Sequence, residues 1–208
     1  MWLFLLILSI LLLLILLRYF LHFFIRYMAF HPTTLPHDFQ FNFPVQFQEH
    51  KIPIDNSHFL SAITFYPSST SNDLWILYFH GNAGCLQEWG DVGIAFANHN
   101  YLITIVDYRN YGKSSRLPVM SERALLEDSV KAILSLEKNY HDRKIVVYGR
   151  SLGCVCAALL AHLFPDKIHK VVLETPFFNL RTLIRDTYGL NLRSFFLPME
   201  FSVSDYIS

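Results

Sequence analysis

The sequence predicts an α/β fold, a doubly wound and mostly parallel sheet preceded by one N-terminal transmembrane helix. Three observations carry this. From Leu74 onward, short continuous apolar runs alternate with longer helix-compatible stretches, the pattern of strands buried on both faces and wrapped by helices. One such run, Lys144-Ile145-Val146-Val147-Tyr148, leads into Gly149-Arg150-Ser151-Leu152-Gly153 and then into eight residues without proline or glycine. At the other end of the chain, residues 2–17 are apolar apart from Ser9.

Taken in order, the N-terminal run falls slightly short of a hydrocarbon core of about 30 Å at about 1.5 Å per residue. Tyr19-Phe20-Leu21 and Phe23-Phe24-Ile25 extend it. Arg18 can snorkel to the interface, and Tyr19, Tyr27 and Phe30 suit an aromatic belt. No basic stretch precedes the run and bulky aromatics follow it, which favours a retained anchor over a cleaved signal peptide. Residues 1–30 are therefore expected to form a single-pass membrane anchor with an interfacial segment. Arg18 and Arg26 follow the span, so the positive-inside rule places the soluble domain in the cytoplasm. Residues 31–47, with Pro32, Pro36 and Pro44, read as a linker. The α/β domain then occupies 48–208.

Two alternating segments, 48–54 and 59–66, read as antiparallel strands that start the sheet. The polar tract 68–72 reads as a hairpin loop. Continuous apolar strands are expected at Leu74–Phe79, Leu102–Val106, 145–148 and 171–173, with helices at Leu86–Asn98, 122–139 and 152–164. Ser121 is the expected N-cap of the second helix.

Composition excludes several classes. The 208 residues carry no net charge, so no basic field points to nucleic acid. Three cysteines do not make a disulfide framework, and Cys154 and Cys156 read as small core residues. The ten histidines form no metal-ligating pattern. No metal or other cofactor is expected.

In doubly wound sheets, ligands bind outside the carboxyl ends of the strands. Four loops lie there. Gly149–Gly153 is G-x-S-x-G on a strand-to-helix turn, where a Cβ at either glycine would clash and the Ser151 hydroxyl is lifted above the sheet. A serine that merely caps the helix is the alternative. His80-Gly81-Asn82-Ala83-Gly84 can turn backbone N–H groups inward as an oxyanion hole, or can be an ordinary turn. In Asp107-Tyr108-Arg109-Asn110-Tyr111-Gly112-Lys113-Ser114, the charges read as ties between loops. Glu174 can pair with Arg150, act as a catalytic acid, or cap a loop; structural pairing is favoured.

In this order, the four segments resemble the α/β-hydrolase superfamily. Within it they are similar to membrane-anchored "α/β-hydrolase domain-containing" serine hydrolases, some of them protein depalmitoylases. The resemblance covers about residues 50–180. It implies Ser151 as nucleophile, the Leu152 N–H as one oxyanion donor and an N–H in the His80 loop, that of Asn82, as the other. It implies hydrolysis of an ester, thioester or amide through an acyl-enzyme, on an acyl-containing lipid, protein or peptide beside the bilayer. The family's order of serine, acid and histidine is not completed here. The last histidine, His169, precedes the 171–173 strand, and Glu174 stands where a minority of relatives keep their acid. The tail Phe195-Phe196-Leu197-Pro198-Met199-Glu200-Phe201 resembles the lead-in to the family's final strands. The expectation is a C-terminally truncated domain, incomplete at its last strands and nearly inactive alone, with the usual acid and histidine beyond residue 208. A non-catalytic membrane scaffold or binding module is the alternative, followed by a secreted lipase after signal cleavage.

Overall fold

The structure, a computed structural model, describes residues 1–69, 72–193 and 196–207. Residues 70 and 71 of the expected hairpin loop, and Phe195 of the tail, lie outside the described residues.

Among the described residues, eight strands and five α-helices follow one another as α1 (Trp2–Ala29), β1 (His31–Pro32), β2 (Phe47–Pro53), β3 (Phe59–Phe65), β4 (Leu74–Phe79), β5 (Ala83–Gly84), α2 (Leu86–Asn98), β6 (Leu102–Val106), α3 (Glu122–Leu136), β7 (Lys144–Arg150), α4 (Gly153–Leu163), β8 (Ile168–Glu174) and α5 (Leu180–Tyr188). Six strands form one sheet in the order β2-β3-β6-β4-β7-β8. The pairs β6–β4, β4–β7 and β7–β8 are parallel, whereas β2–β3 and β3–β6 are antiparallel. The segment joining β3 to β4 is therefore not a hairpin. Strand β6 lies between them in the sheet. The hairpin is the β2–β3 turn, where the Asp55 side chain accepts from the Ser57 and His58 N–H groups.

The central strands are apolar because both faces are covered. Helix α2 packs on one face against Phe65, Ile76, Tyr78, Ile103 and Ile105. Helices α3 and α4 cover the other, against Trp75, Leu77, Phe79 and Val147. Each such aliphatic side chain taken from water contributes on the order of 1.5–3 kcal/mol. Ser121 caps α3 by accepting from Ala124 N at 3.2 Å. The expected 122–139 helix is α-helical to Leu136 and tightens to a 3₁₀ turn at Glu137–Asn139.

Helix α1 has 28 residues and is long and apolar enough to cross a membrane. Most of it is exposed, but Ile25 is buried and Leu21 and Ala29 pack on the domain core. The stretch read as a linker connects α1 to the sheet while packing tightly on the way. His31 N donates to Asn82 O at 2.8 Å, Thr33 N to Gly84 O at 3.1 Å and Gly112 N to Thr33 O at 2.8 Å. Strand β1 thereby pairs with β5. Phe39, Phe41 and Phe43 continue into the core on the α2 side, and a Cβ at Gly90 of α2 would collide with the Phe43 ring.

Candidate active site

The turn between β7 and α4 is built by close approach. Gly149 faces the backbone of Gly153 and Cys154, and Gly153 faces the backbone of Phe79 and His80; a Cβ on either would overlap those atoms. Backbone cannot yield as a flexible side chain can, so both positions require glycine. Ser151 sits at the apex with φ +50°, a region non-glycine residues seldom occupy. The strained residue is held by bonds on both sides. Its N–H donates to Glu174 O at 2.9 Å, and its carbonyl accepts from Cys154 N at 3.0 Å. Leu152 follows at the N-cap of α4, where first-turn N–H groups lack acceptors within the helix.

Ser151, Leu152 and Asn82 all line one cavity of ≈ 530 Å³. Three of the four residues singled out in the sequence thus line a common space. The remainder of the lining was not foreseen. It comes from the end of α1 (Leu21, Phe24, Ile25, Met28), from His31, and from α5 and its flanks (Phe177, Leu180, Leu183, Ile184, Tyr188, Leu190). Helix α5 was legible in principle. Asn179 accepts from Thr182 N at 2.8 Å as an N-cap, and Gly189 closes the helix at φ +69°.

On the β4 and β6 side, the site is bolted down. The His80 ring is fully buried, with Nδ1 2.7 Å from Gly81 O and Nε2 3.3 Å from Asp107 Oδ1. Asp107 accepts from Leu86 N at 3.0 Å, pinning the start of α2. Burial pushes its carboxyl up, and the contacts with His80 and the Leu86 N–H pull it back. Tyr108 donates to His80 O at 2.6 Å and Tyr111 to Asn82 O at 2.7 Å, so two phenols fix the backbone of the loop carrying Asn82. Gly112, at φ +49°, lies against the Asp107 carboxylate where no side chain fits. Arg109 makes a two-pronged buried pair with Asp128 of α3, at 2.6 and 2.9 Å. Asp107 and Arg109 are thus ties between elements, as their placement predicts.

Glu174 is placed differently. Its carboxylate lies 3.5 Å from Arg150 Nε and accepts from Tyr148 OH at 3.2 Å, and it does not line the cavity. The arrangement matches the pairing reading. His169 stands near the start of β8, five residues before Glu174, or about 17 Å along a strand. Neither His80 nor His169 lines the cavity: the His80 ring is enclosed by Trp89, Tyr108 and Tyr111, and His169 lies toward the far end of β8. His31 is the histidine that lines the cavity. Cys154 is buried beneath the turn, with its thiol pushed up to about 11 by desolvation.

The profile of the alpha/beta hydrolase fold matches residues 75–196, and the chain belongs to that family. Mouse lysophosphatidylserine lipase ABHD12 is 31% identical over 121 residues, covering 53% of this chain and 29% of that protein. A membrane protein of Saccharomyces cerevisiae, YNL320W, is 34% identical over 117 residues, covering 56% of this chain and 40% of that one. Among solved structures, the hyperthermophilic esterase of Pyrobaculum calidifontis superposes with a TM-score of 0.57 at 25% identity, over 70% of this chain and 50% of that one. The chain spans less than half the length of the curated relatives it matches.

Proposed function

We propose that this chain carries the nucleophile half of a membrane-anchored serine hydrolase that cleaves an ester, thioester or amide of an acyl substrate through an acyl-enzyme at Ser151. The observation that carries the reading is Ser151 at φ +50° on a strand-to-helix turn, opening on an apolar cavity it shares with Leu152 and Asn82. The lipase and esterase among its relatives support the substrate class. The apolar α1 and the membrane-protein relative support anchoring.

In this reading the Ser151 Oγ attacks the acyl carbonyl as its proton passes to a base. The backbone N–H groups of Leu152 and Asn82 hold the developing oxyanion. The Tyr108 and Tyr111 bonds to the His80–Asn82 backbone keep that donor in place before the charge forms, which is what makes such a donor effective. Collapse of the intermediate expels the leaving group, and water then releases the acyl chain. On the family's pattern the acid and the histidine follow strands later than β8, and Glu174 keeps its structural pair with Arg150. On the family's pattern the hydrolase domain starts near residue 48, behind the anchor and its packed connection.

The test compares the 208-residue chain with a version extended by the family's remaining strands, using a fluorophosphonate probe. Weak labelling of the short chain and strong labelling of the extended one, both lost in Ser151→Ala, is the expected result. Strong labelling of the short chain that is lost in both Ser151→Ala and His31→Ala would make His31 the base. Labelling that survives Ser151→Ala would end the serine hydrolase reading.

A further inference from the structure

The anchor does more than lead up to the domain. Its 28 residues extend about 42 Å at about 1.5 Å each, against a hydrocarbon core of about 30 Å. About 12 Å, or two turns, is left over. The domain packs at the C-terminal end, where Leu21 and Ala29 touch the core and Ile25 is buried, whereas the other side chains from Trp2 to Leu17 lie bare. The surplus therefore falls on the last two turns of α1, at the level of the lipid headgroups. Phe24 and Met28 of those turns, with Leu21 just before them, line the cavity that contains Ser151.

We propose that the last two turns of α1 form one wall of the acyl site, so that the acyl chain of a membrane lipid reaches Ser151 by sliding along the anchor out of the leaflet. The proposal rests on the hydrolase reading above and adds the route and the wall. Three features support it. Leu14, Leu17, Leu21, Phe24 and Met28 follow at three- and four-residue steps, so one apolar stripe of α1 leads from its bare part to the cavity lining and offers an acyl chain a path with little exposure to water. Among the described residues, the polar lining (His31, Asn82, Ser151, Thr187, Tyr188) carries no carboxylate, ammonium or guanidinium group, so a charged headgroup is left to solvent while the carbonyl meets the serine. The cavity is of the size that takes one small ligand, which suits a single chain drawn up from the core rather than a pair. On this account Leu21, Phe24 and Met28 set acyl preference as much as α5 does.

The experiment uses the 208-residue chain in phosphatidylcholine nanodiscs doped with a lysophosphatidylcholine carrying a diazirine in mid-chain. After irradiation, adducts on residues 2–17 report bulk lipid. Adducts on Leu180, Ile184 or Tyr188 of α5, together with Met28, report occupancy of the cavity. Both sets are expected, and excess unlabelled lysophosphatidylcholine should displace only the second. Leu183→Trp, a substitution at a partly exposed position that fills the cavity, should lower the α5 and Met28 adducts about fivefold or more and leave those on residues 2–17 unchanged. Adducts confined to residues 2–17, or α5 adducts indifferent to both competitor and Leu183→Trp, overturn the proposal. Ser151→Ala separates the two readings. It should leave the adduct pattern intact, because the wall does not need the hydroxyl. Probe labelling of the extended chain that survives Ser151→Ala, with the adducts retained, would remove the hydrolase reading alone.

Discussion

The two flanks of Ser151 are built on opposite principles. On the β4 and β6 side, His80, Asp107, Tyr108 and Tyr111 are all buried, and each is tied by a short hydrogen bond or charge contact. On the β8 side, Phe178, Leu183 and Tyr188 are exposed, and Thr175 sits at φ +50° in the loop between β8 and α5. In the acyl-enzyme reading proposed above, the difference follows from what each flank would do. Donors that meet a developing charge work only if they are already in place. Walls that meet a hydrocarbon need area and can shift to fit it. On that reading the donor side is polar and firmly tied, and the binding side apolar and open.

The contrast can be broken most severely at the turn itself. Gly153→Ala drives a Cβ into the Phe79 and His80 backbone, and should cost about 4 kcal/mol or more in urea unfolding. Asp128→Ala strands the buried Arg109 guanidinium and should cost about 3–5 kcal/mol. A variant within about 0.5 kcal/mol of the parent would show that the donor flank is not held by this pair. Tyr111→Phe removes one bond to the Asn82 carbonyl; a loss of about 1 kcal/mol is expected. In the extended chain it should also slow fluorophosphonate labelling, since the donor loop is loosened. The smallest effect on stability is expected on the open flank, where Leu183→Ala should cost under about 1 kcal/mol because the side chain is already partly in water.

Cysteine chemistry sharpens the same comparison without a mutation. Burial holds the Cys154 thiol at about 11 and pushes Cys85 up to about 12. A raised thiol pKa keeps the sulfur protonated, and the protonated form is not the nucleophile. At pH 8 the folded chain should resist iodoacetamide at both sites, and alkylation should follow global unfolding in urea. Rapid alkylation of Cys154 in the folded state would mean that the floor beneath the serine opens.

Much of the rigid flank was legible in the sequence. The bounds of β4, β6 and α2 are those read from apolar runs, and the two glycines around Ser151 are required for the steric reason their spacing suggested. Short-range geometry is what a local motif encodes. The open flank was hidden for the opposite reason. Helix α5 carried its own start and stop, Asn179 and Gly189, but nothing local tells that its apolar face meets the end of α1 across a cavity. The pairing of Arg109 with Asp128 likewise joins a loop to a helix nineteen positions away. The segment after α1 was read as a linker from its prolines. Its hold comes from backbone bonds to Asn82, Gly84 and Gly112, which composition does not reveal.

That hold has a kinetic consequence. The first clamp after α1 falls at His31, two residues beyond the end of the helix, so the domain has almost no leash. With α1 anchored in a bilayer as proposed above, the domain would sit at a fixed height and tilt, and its search for substrate would be confined to two dimensions. Turnover of such an enzyme should follow the mole fraction of substrate in its own leaflet, and diluting the substrate with inert lipid at constant bulk concentration should slow it in proportion.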